Sequence, residues 1–173
     1  MIAAMADGTH PNAALLRRFY AAFAALDAAT MAECYTADAQ FEDEVFSLAG
    51  REQVAAMWAM LCAATRDTGR DAWKLEASAI EADDRGGRAH WQAHYRFSAT
   101  GRLVHNRIDA SFTFRDGLIA VHRDRFGFWA WARQALGAPG LLLGWTPMLR
   151  NKVRAQAATK LALFQVQRGQ AGR

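Results

Sequence analysis

Only two cysteines, Cys34 and Cys62, occur in 173 residues. Both sit on apolar helical patterns, outside any CxxC pair or Cys/His cluster. Neither a disulfide framework nor a zinc site is indicated, and a reducing, cytoplasmic compartment is the expectation. Long apolar runs are also missing. The longest near the end, Leu141-Leu142-Leu143, is far too short to span a bilayer. The opening residues MIAAMADGTHP carry no basic segment followed by an apolar one, so no signal peptide is expected. No phosphate-cradling loop or dinucleotide fingerprint is present, and Ser111, Thr113 and Thr65 lack a nucleophile elbow. No cofactor is expected. Acidic residues stop at Asp124: from Arg125 to Arg173 there are eight Lys or Arg and no Asp or Glu. The preceding residues hold 13 basic and 17 acidic side chains, so an acidic body carries a basic tail. Such a tail can pack on its own body or a partner, or seek anionic lipid; nucleic acid is not an expected partner.

What remains is a globular composition, 52% hydrophobic and 22% charged, enough for one domain with a real core. Leu15, Phe19, Phe23 and Leu26 recur at helical spacing over residues 12 to 26, with Asn12 as a cap. Asp27 opens a second helix carrying Met31, Cys34 and Tyr35; Thr36 to Asp38 reads as a turn and Ala39 to Asp43 as a strand. After Gly50 a third helix turns Val54, Met57, Trp58 and Leu61 inward, and residues 66 to 71 read as a loop. The period then changes. Trp73 to Ala82 is strand-like, Asp83 to Gly87 a hairpin turn, and Arg88 to Ser98 alternates with Trp91, Ala93, Tyr95 and Phe97 on one face. Val104 to Arg115 alternates again, Asp116-Gly117 is a hairpin turn, and Leu118 to Phe126 is the last strand. Helices followed by a meander of strands point to an α+β domain. Gly137 to Gly140 reads as a chain break. Thr146-Pro147 starts a helix running to about Gln167, with Leu149, Val153, Ala157, Leu161 and Phe164 as its apolar stripe.

Three patterns in order resemble one known group. The first is Tyr35-Thr-Ala-Asp38-Ala-Gln-Phe41-Glu-Asp43. The second is Gly50-Arg-Glu-Gln-Val54, opening the third helix. The third is Phe112-Thr-Phe114-Arg-Asp-Gly117-Leu-Ile119, leading into His122-Arg-Asp124. Over residues 10 to 128 the chain resembles the SnoaL-like group of the nuclear transport factor 2-like superfamily, which includes ketosteroid isomerases, polyketide cyclases and limonene epoxide hydrolases. The resemblance implies a cone-shaped, cystatin-like α+β fold. Three N-terminal helices would pack in a curved antiparallel sheet (residues 1 to 128), with a basic helical extension (129 to 173) packed on the same domain. It also implies a pocket for a small hydrophobic ligand, and a homodimer. His122-Arg123-Asp124 resembles the Trp-Arg-Asp stretch of the epoxide hydrolases, while Phe41 and Asp43 fall where those enzymes hold water. Their Arg-x-Asp is Trp91-x-Ala93 here, which breaks that relay.

The residues themselves suggest the chemistry to look for. Asp124 and His122 stand two apart on one strand and so share a face, where burial can tune a carboxylate into a general acid or base. The alternative is that Asp124 pairs with an arginine or caps a helix. Asp43 is a candidate second carboxylate, or a turn-stabilising aspartate. Tyr20, Phe41, Trp58, Trp91, Tyr95 and Ile108 are candidate pocket walls, or plain core. Tyr20 or Tyr95 could donate to an oxyanion. His90 and His94, four residues apart on a strand, are roughly 13 Å apart and too far for one metal ion; with His105 they read as outer-face residues. The tryptophan-rich stretch from Phe126 to Trp145 could close the cone, pack across a dimer, or make a peripheral membrane contact. The functional expectation is a cofactor-independent isomerase, cyclase, dehydratase or hydrolase, or a binding module without catalysis.

Overall fold

In the computed structural model, which describes residues 10–171, helix α1 (Pro11–Ala24) starts at Pro11 because proline's fixed φ suits the first helical position. The cap is His10 rather than Asn12: His10 Nδ1 accepts from the Asn12 N–H at 3.2 Å. Asn12 is instead buried, its side-chain amide donating to Asp83 O at 3.0 Å and tying the helix to a hairpin turn. Asp27 caps α2 (Ala28–Glu33), accepting from the Thr30 N–H. Helix α2 ends before Tyr35, and Thr36 to Asp38 form no turn. Strand β1 runs from Tyr35 to Glu42, and the short β2 (Ser47–Ala49) folds back on it. Helix α3 spans Arg51–Thr68, so the segment read as a loop from Arg66 is helix, then a one-turn 3-10 helix at Arg70–Ala72.

Strands β3 (Lys74–Ala82), β4 (Gly87–Arg96), β5 (Leu103–Arg115) and β6 (Leu118–Arg125) form the meander expected from their alternation. The order across the sheet is β2-β1-β6-β5-β4-β3. All neighbours are antiparallel except β1 and β6, which are parallel. Bulges interrupt the registers at residues 35 to 40 of β1, 78 to 81 of β3 and 113 to 114 of β5. At the β3 bulge Ala79 takes φ 50°. Bulges bend and twist a strand, and the sheet curls around α1 and α3. Asp116 and Gly117, with φ of 54° and 70°, make the β5–β6 turn that a tight hairpin requires.

Inside the curve lies the core: Leu16, Phe19 and Phe23 of α1, Val54, Met57 and Trp58 of α3, and Trp91, Ile108 and Phe112 of the sheet are all buried. The extension adds three helices where one was expected, α4 (Phe128–Ala135), α5 (Ala138–Leu143) and α6 (Pro147–Ala171). Pro139 does not break the chain; it stands in the first turn of α5. Gly140 lets α5 press on α4, since a Cβ there would lie 1.9 Å from Ala132 O. A second cluster around Phe128, Trp131, Ala132 and Val104 joins α4 to the open end of the sheet. Leu161 of α6 enters the main core, and Arg150 and Arg154 reach Glu44 of the body, the latter donating to its carbonyl at 2.8 Å. Among the described residues no helix is long and apolar enough to cross a membrane.

Candidate active site: a buried aromatic–histidine–aspartate chain behind an apolar cavity

Strand β6 puts His122 and Asp124 on its inner face, with exposures of 0% and 2%. His122 is boxed by rings: Phe112, Phe41 and Phe19 stand 4.4, 5.0 and 5.7 Å away between centroids. Nothing in that box can hydrogen-bond except two groups at opposite edges of the imidazole. Tyr35 Oη lies 2.7 Å from Nδ1, and Asp124 Oδ1 lies 2.9 Å from Nε2. The Trp58 indole N–H donates to Tyr35 Oη at 3.1 Å, and the Trp91 indole N–H donates to Asp124 Oδ1 at 3.3 Å.

The direction of this chain follows from counting protons. Burial raises the Tyr35 phenol well above its ordinary value, so it keeps its proton. Its oxygen already accepts from Trp58, which leaves the O–H to donate to His122 Nδ1. The imidazole hydrogen then sits on Nε2 and donates to Asp124. In this arrangement Trp58, Tyr35, His122 and Trp91 all donate towards Asp124 Oδ1, and every proton is used. Asp124 Oδ2 has no hydrogen-bond partner among the described residues, and Asp124 lines the cavity in front of it.

That cavity has a volume of about 270 Å³. Trp58, Trp91, Ile108, Phe41, Phe46 and Met57 furnish apolar walls; Asp43, Asp124 and Tyr95 are polar points, with Arg96 and Asn106 among other polar lining residues, and Trp131 of α4 and Val153 and Lys160 of α6 stand at the rim. Asp43 follows the end of β1, where its Oδ1 accepts from the Val45 and Phe46 N–H groups at 2.7 and 2.6 Å. It is thus both a turn aspartate and a cavity residue. The residue is half-buried, yet its surroundings push its carboxyl up to about 6, chiefly by desolvation; the two N–H bonds oppose the shift and the nearby Asp124 adds to it. Tyr95 Oη accepts from the Trp131 indole at 2.9 Å, so its own O–H remains free, and burial raises its pKa to about 12.

A pH dependence follows. A carboxyl raised from 3.8 to about 6 binds its proton more tightly in the folded chain than in the unfolded one. Folding then loses stability as pH rises from about 4 through about 6, by up to about 3 kcal/mol. Asp43→Asn should flatten this part of the profile. Urea unfolding of both proteins across that range measures it, and parallel profiles would refute the assignment.

Of the nine side chains singled out from the sequence, seven line the cavity: Asp43, Phe41, Trp58, Trp91, Tyr95, Ile108 and Asp124. Two do not. His122 stands behind Asp124, sealed from the cavity. Tyr20 is 3% exposed and packs against Phe19 and Trp91; its hydroxyl has no partner among the described residues, and it does not reach the cavity wall. An unsatisfied buried hydroxyl costs about 1–3 kcal/mol. Tyr20→Phe should therefore leave the melting temperature unchanged or raise it, and a clear drop would mean that the hydroxyl has a partner. Sequence reasoning missed Tyr35, because its helical placement hid a strand residue that directly follows Cys34, the C-cap of α2. On the outer face His90 pairs with Asp109 at 2.8 Å, and His94 and His105 stack at 3.9 Å. Among the described residues no cluster of ligands fits a metal ion.

Comparison with known proteins agrees with this architecture. Residues 16–122 match the family model described as a SnoaL-like domain. No curated protein matches the sequence. A candidate polyketide cyclase from Xanthomonas campestris pv. campestris superposes with a TM-score of 0.58 at 19% identity, covering 72% of this chain and 96% of its own. An M. tuberculosis epoxide hydrolase of the LEH-like type gives 0.55 at 20% identity over 76% and 92%. A Catenulispora acidiphila protein with a ketosteroid isomerase-like fold, solved with trimethylamine, gives 0.60 at 16% identity over 80% and 100%. At these identities the likeness is one of fold.

Proposed function

This chain belongs to the SnoaL-like domain family, and we propose from that premise that it is a cofactor-independent acid–base enzyme acting on a small hydrophobic molecule, with Asp124 as the proton-transferring group. One observation carries the reading: Asp124 is gripped from behind through one oxygen by His122 and Trp91, while its other oxygen faces an apolar cavity. A core aspartate needs no such access, whereas a general base needs a fixed carboxylate within reach of a substrate proton.

The surrounding groups fit proton transfer beside a carbonyl. Asp124 Oδ2 takes the proton from carbon, and the electron pair moves onto the carbonyl oxygen. Tyr95, whose O–H is free, donates a hydrogen bond to that oxygen. Asp43, raised to about 6, is half protonated near pH 6 and can return a proton at a second carbon or oxygen, after which Asp124 gives its proton to water and Asp43 regains one. His122 is a positioning residue: it touches Asp124 and no part of the cavity. Isomerisation and cyclisation suit this set better than epoxide opening. Trp91 and Ala93 occupy the places where the epoxide hydrolases carry an arginine and an aspartate, so Asp124 receives a neutral indole N–H instead of a guanidinium.

The test needs no knowledge of the product. The protein is incubated in deuterium oxide with ketosteroids, terpenoid ketones and polyketide-like ketones, and the recovered compounds are weighed by mass spectrometry. Deuterium uptake, or a rearranged product, is the expected result for at least one ligand that binds. Tight binding with no exchange and no product would make the chain a non-catalytic binding module. Homodimerisation is part of the same proposal and is read from its mass in solution.

A further inference from the structure

The acid–base reading leaves the outer surface of the extension unused, and this surface is unlike the rest of the molecule. Trp129, Leu141, Leu142, Leu143, Trp145 and Met148 are all exposed there, Leu142 at 66% and Trp145 at 73%. Exposed Leu103 lies beside them, sharing a shallow depression with Arg133 and Leu141. Apolar side chains scattered singly on a surface need no explanation, but a contiguous group does.

We propose that this corner, centred on α5, inserts into the interfacial layer of an anionic membrane. Three observations support that occupant. The first is polar satisfaction. The end of a helix leaves carbonyls that water normally covers, and in lipid each uncovered one costs several kcal/mol. Here side chains cover them. The Trp129 indole donates to Leu141 O at 3.2 Å, the Trp145 indole to Leu142 O at 3.0 Å, and the Thr146 hydroxyl to Leu143 O at 2.6 Å. The same bonds use up both indole N–H groups, so the tip presents hydrocarbon and ring faces with few polar groups left bare.

The second is charge. Arg133 lies over the Trp129 ring at 5.2 Å, Arg102 lies beside Gly137 at the start of α5, and Lys152 follows Met148 by one turn on α6. All three are exposed, and no acidic residue occurs after Asp124. Glu44, the acid that approaches the extension, is engaged by Arg150. Apolar insertion flanked by cations matches the headgroup region of an anionic bilayer. A second copy of the chain fits less well, because two-fold packing of this patch on itself would bring its cations against a surface to which the extension contributes no acid. The third is rigidity. Gly140 against Ala132 and Gly144 against Trp129 and Ala132 fix α5 on α4, so the tip is preformed and insertion orders little.

The experiment uses the full chain and vesicles of phosphatidylcholine, with and without phosphatidylglycerol, at low salt. Co-sedimentation with the anionic vesicles and a blue shift of tryptophan fluorescence are expected, with weak binding to the neutral ones. Leu142→Asp should abolish binding, and Arg133→Glu with Lys152→Glu should lower the partition coefficient by more than about tenfold. All three positions are exposed, so melting temperatures should match the wild type; should Leu142→Asp fail to fold, Trp145→Ser reads the same tip. Protein left in the supernatant with anionic vesicles would overturn the proposal. So would binding that survives these substitutions, or a dimer that Leu142→Asp dissociates with no vesicle binding in the wild type.

Discussion

Asp124→Asn is expected to lower turnover by about 10²- to 10⁴-fold while leaving ligand affinity within about twofold. The substitution is close to isosteric. The amide oxygen can still accept from His122 and Trp91, so the chain Trp58–Tyr35–His122 keeps its acceptor. What is lost is the ability of the second atom to take a proton, since an amide NH₂ now faces the cavity. Single-turnover kinetics together with a binding isotherm separate these effects. Unchanged turnover would remove Asp124 from the chemistry. A large loss of affinity at constant turnover would recast it as a ligand-orienting group.

His122→Leu is expected to give the largest stability loss of any single change discussed here, about 3–5 kcal/mol. Two buried groups would lose their partner at once: Tyr35 Oη its acceptor and Asp124 Oδ1 its main donor. Leucine also removes the ring that Phe112, Phe41 and Phe19 pack against. Denaturant unfolding should show a lower midpoint with an unchanged slope. His122→Leu combined with Tyr35→Phe should recover little, because removing the phenol leaves the buried Trp58 indole N–H without its acceptor. A cost under about 1 kcal/mol would mean that water, rather than His122, satisfies these groups.

Local pattern carried much of this. The helical spacing of Phe19 and Phe23, the alternation of Trp91, Ala93 and Tyr95, the Asp116-Gly117 turn and the shared face of His122 and Asp124 are all short-range signals. The stripe Leu149, Val153, Ala157, Leu161 and Phe164 is the face that α6 turns towards the body. The errors arose where distant contacts decide. Thr36 to Asp38 have turn-forming residues, yet β1 pairs with β6 in parallel across most of the chain, and that ladder draws Tyr35 in beside Ile119. Gly137 to Gly140 contain breaker residues, yet the close fit of Gly140 on Ala132 makes a helix there. The same reason hid the hydrogen-bonded chain behind Asp124. Tyr35, Trp58, Trp91 and His122 come from four different elements, and no spacing in the sequence links them. Asp43 showed two roles for one residue because a turn aspartate and a cavity carboxyl use different faces of the same group.

The central claim is that the cavity beside Asp124 takes a small hydrophobic ligand. A thermal-shift screen with hydrophobic epoxides, ketosteroids, terpenoids and fatty acids tests it most directly, run on the wild type and on Ala93→Trp, which fills the cavity. A ligand at one hundred times its Kd should stabilise the wild type by about 2.7 kcal/mol, and the shift should vanish in Ala93→Trp. No shift from any compound, or the same shift in both proteins, would contradict the account.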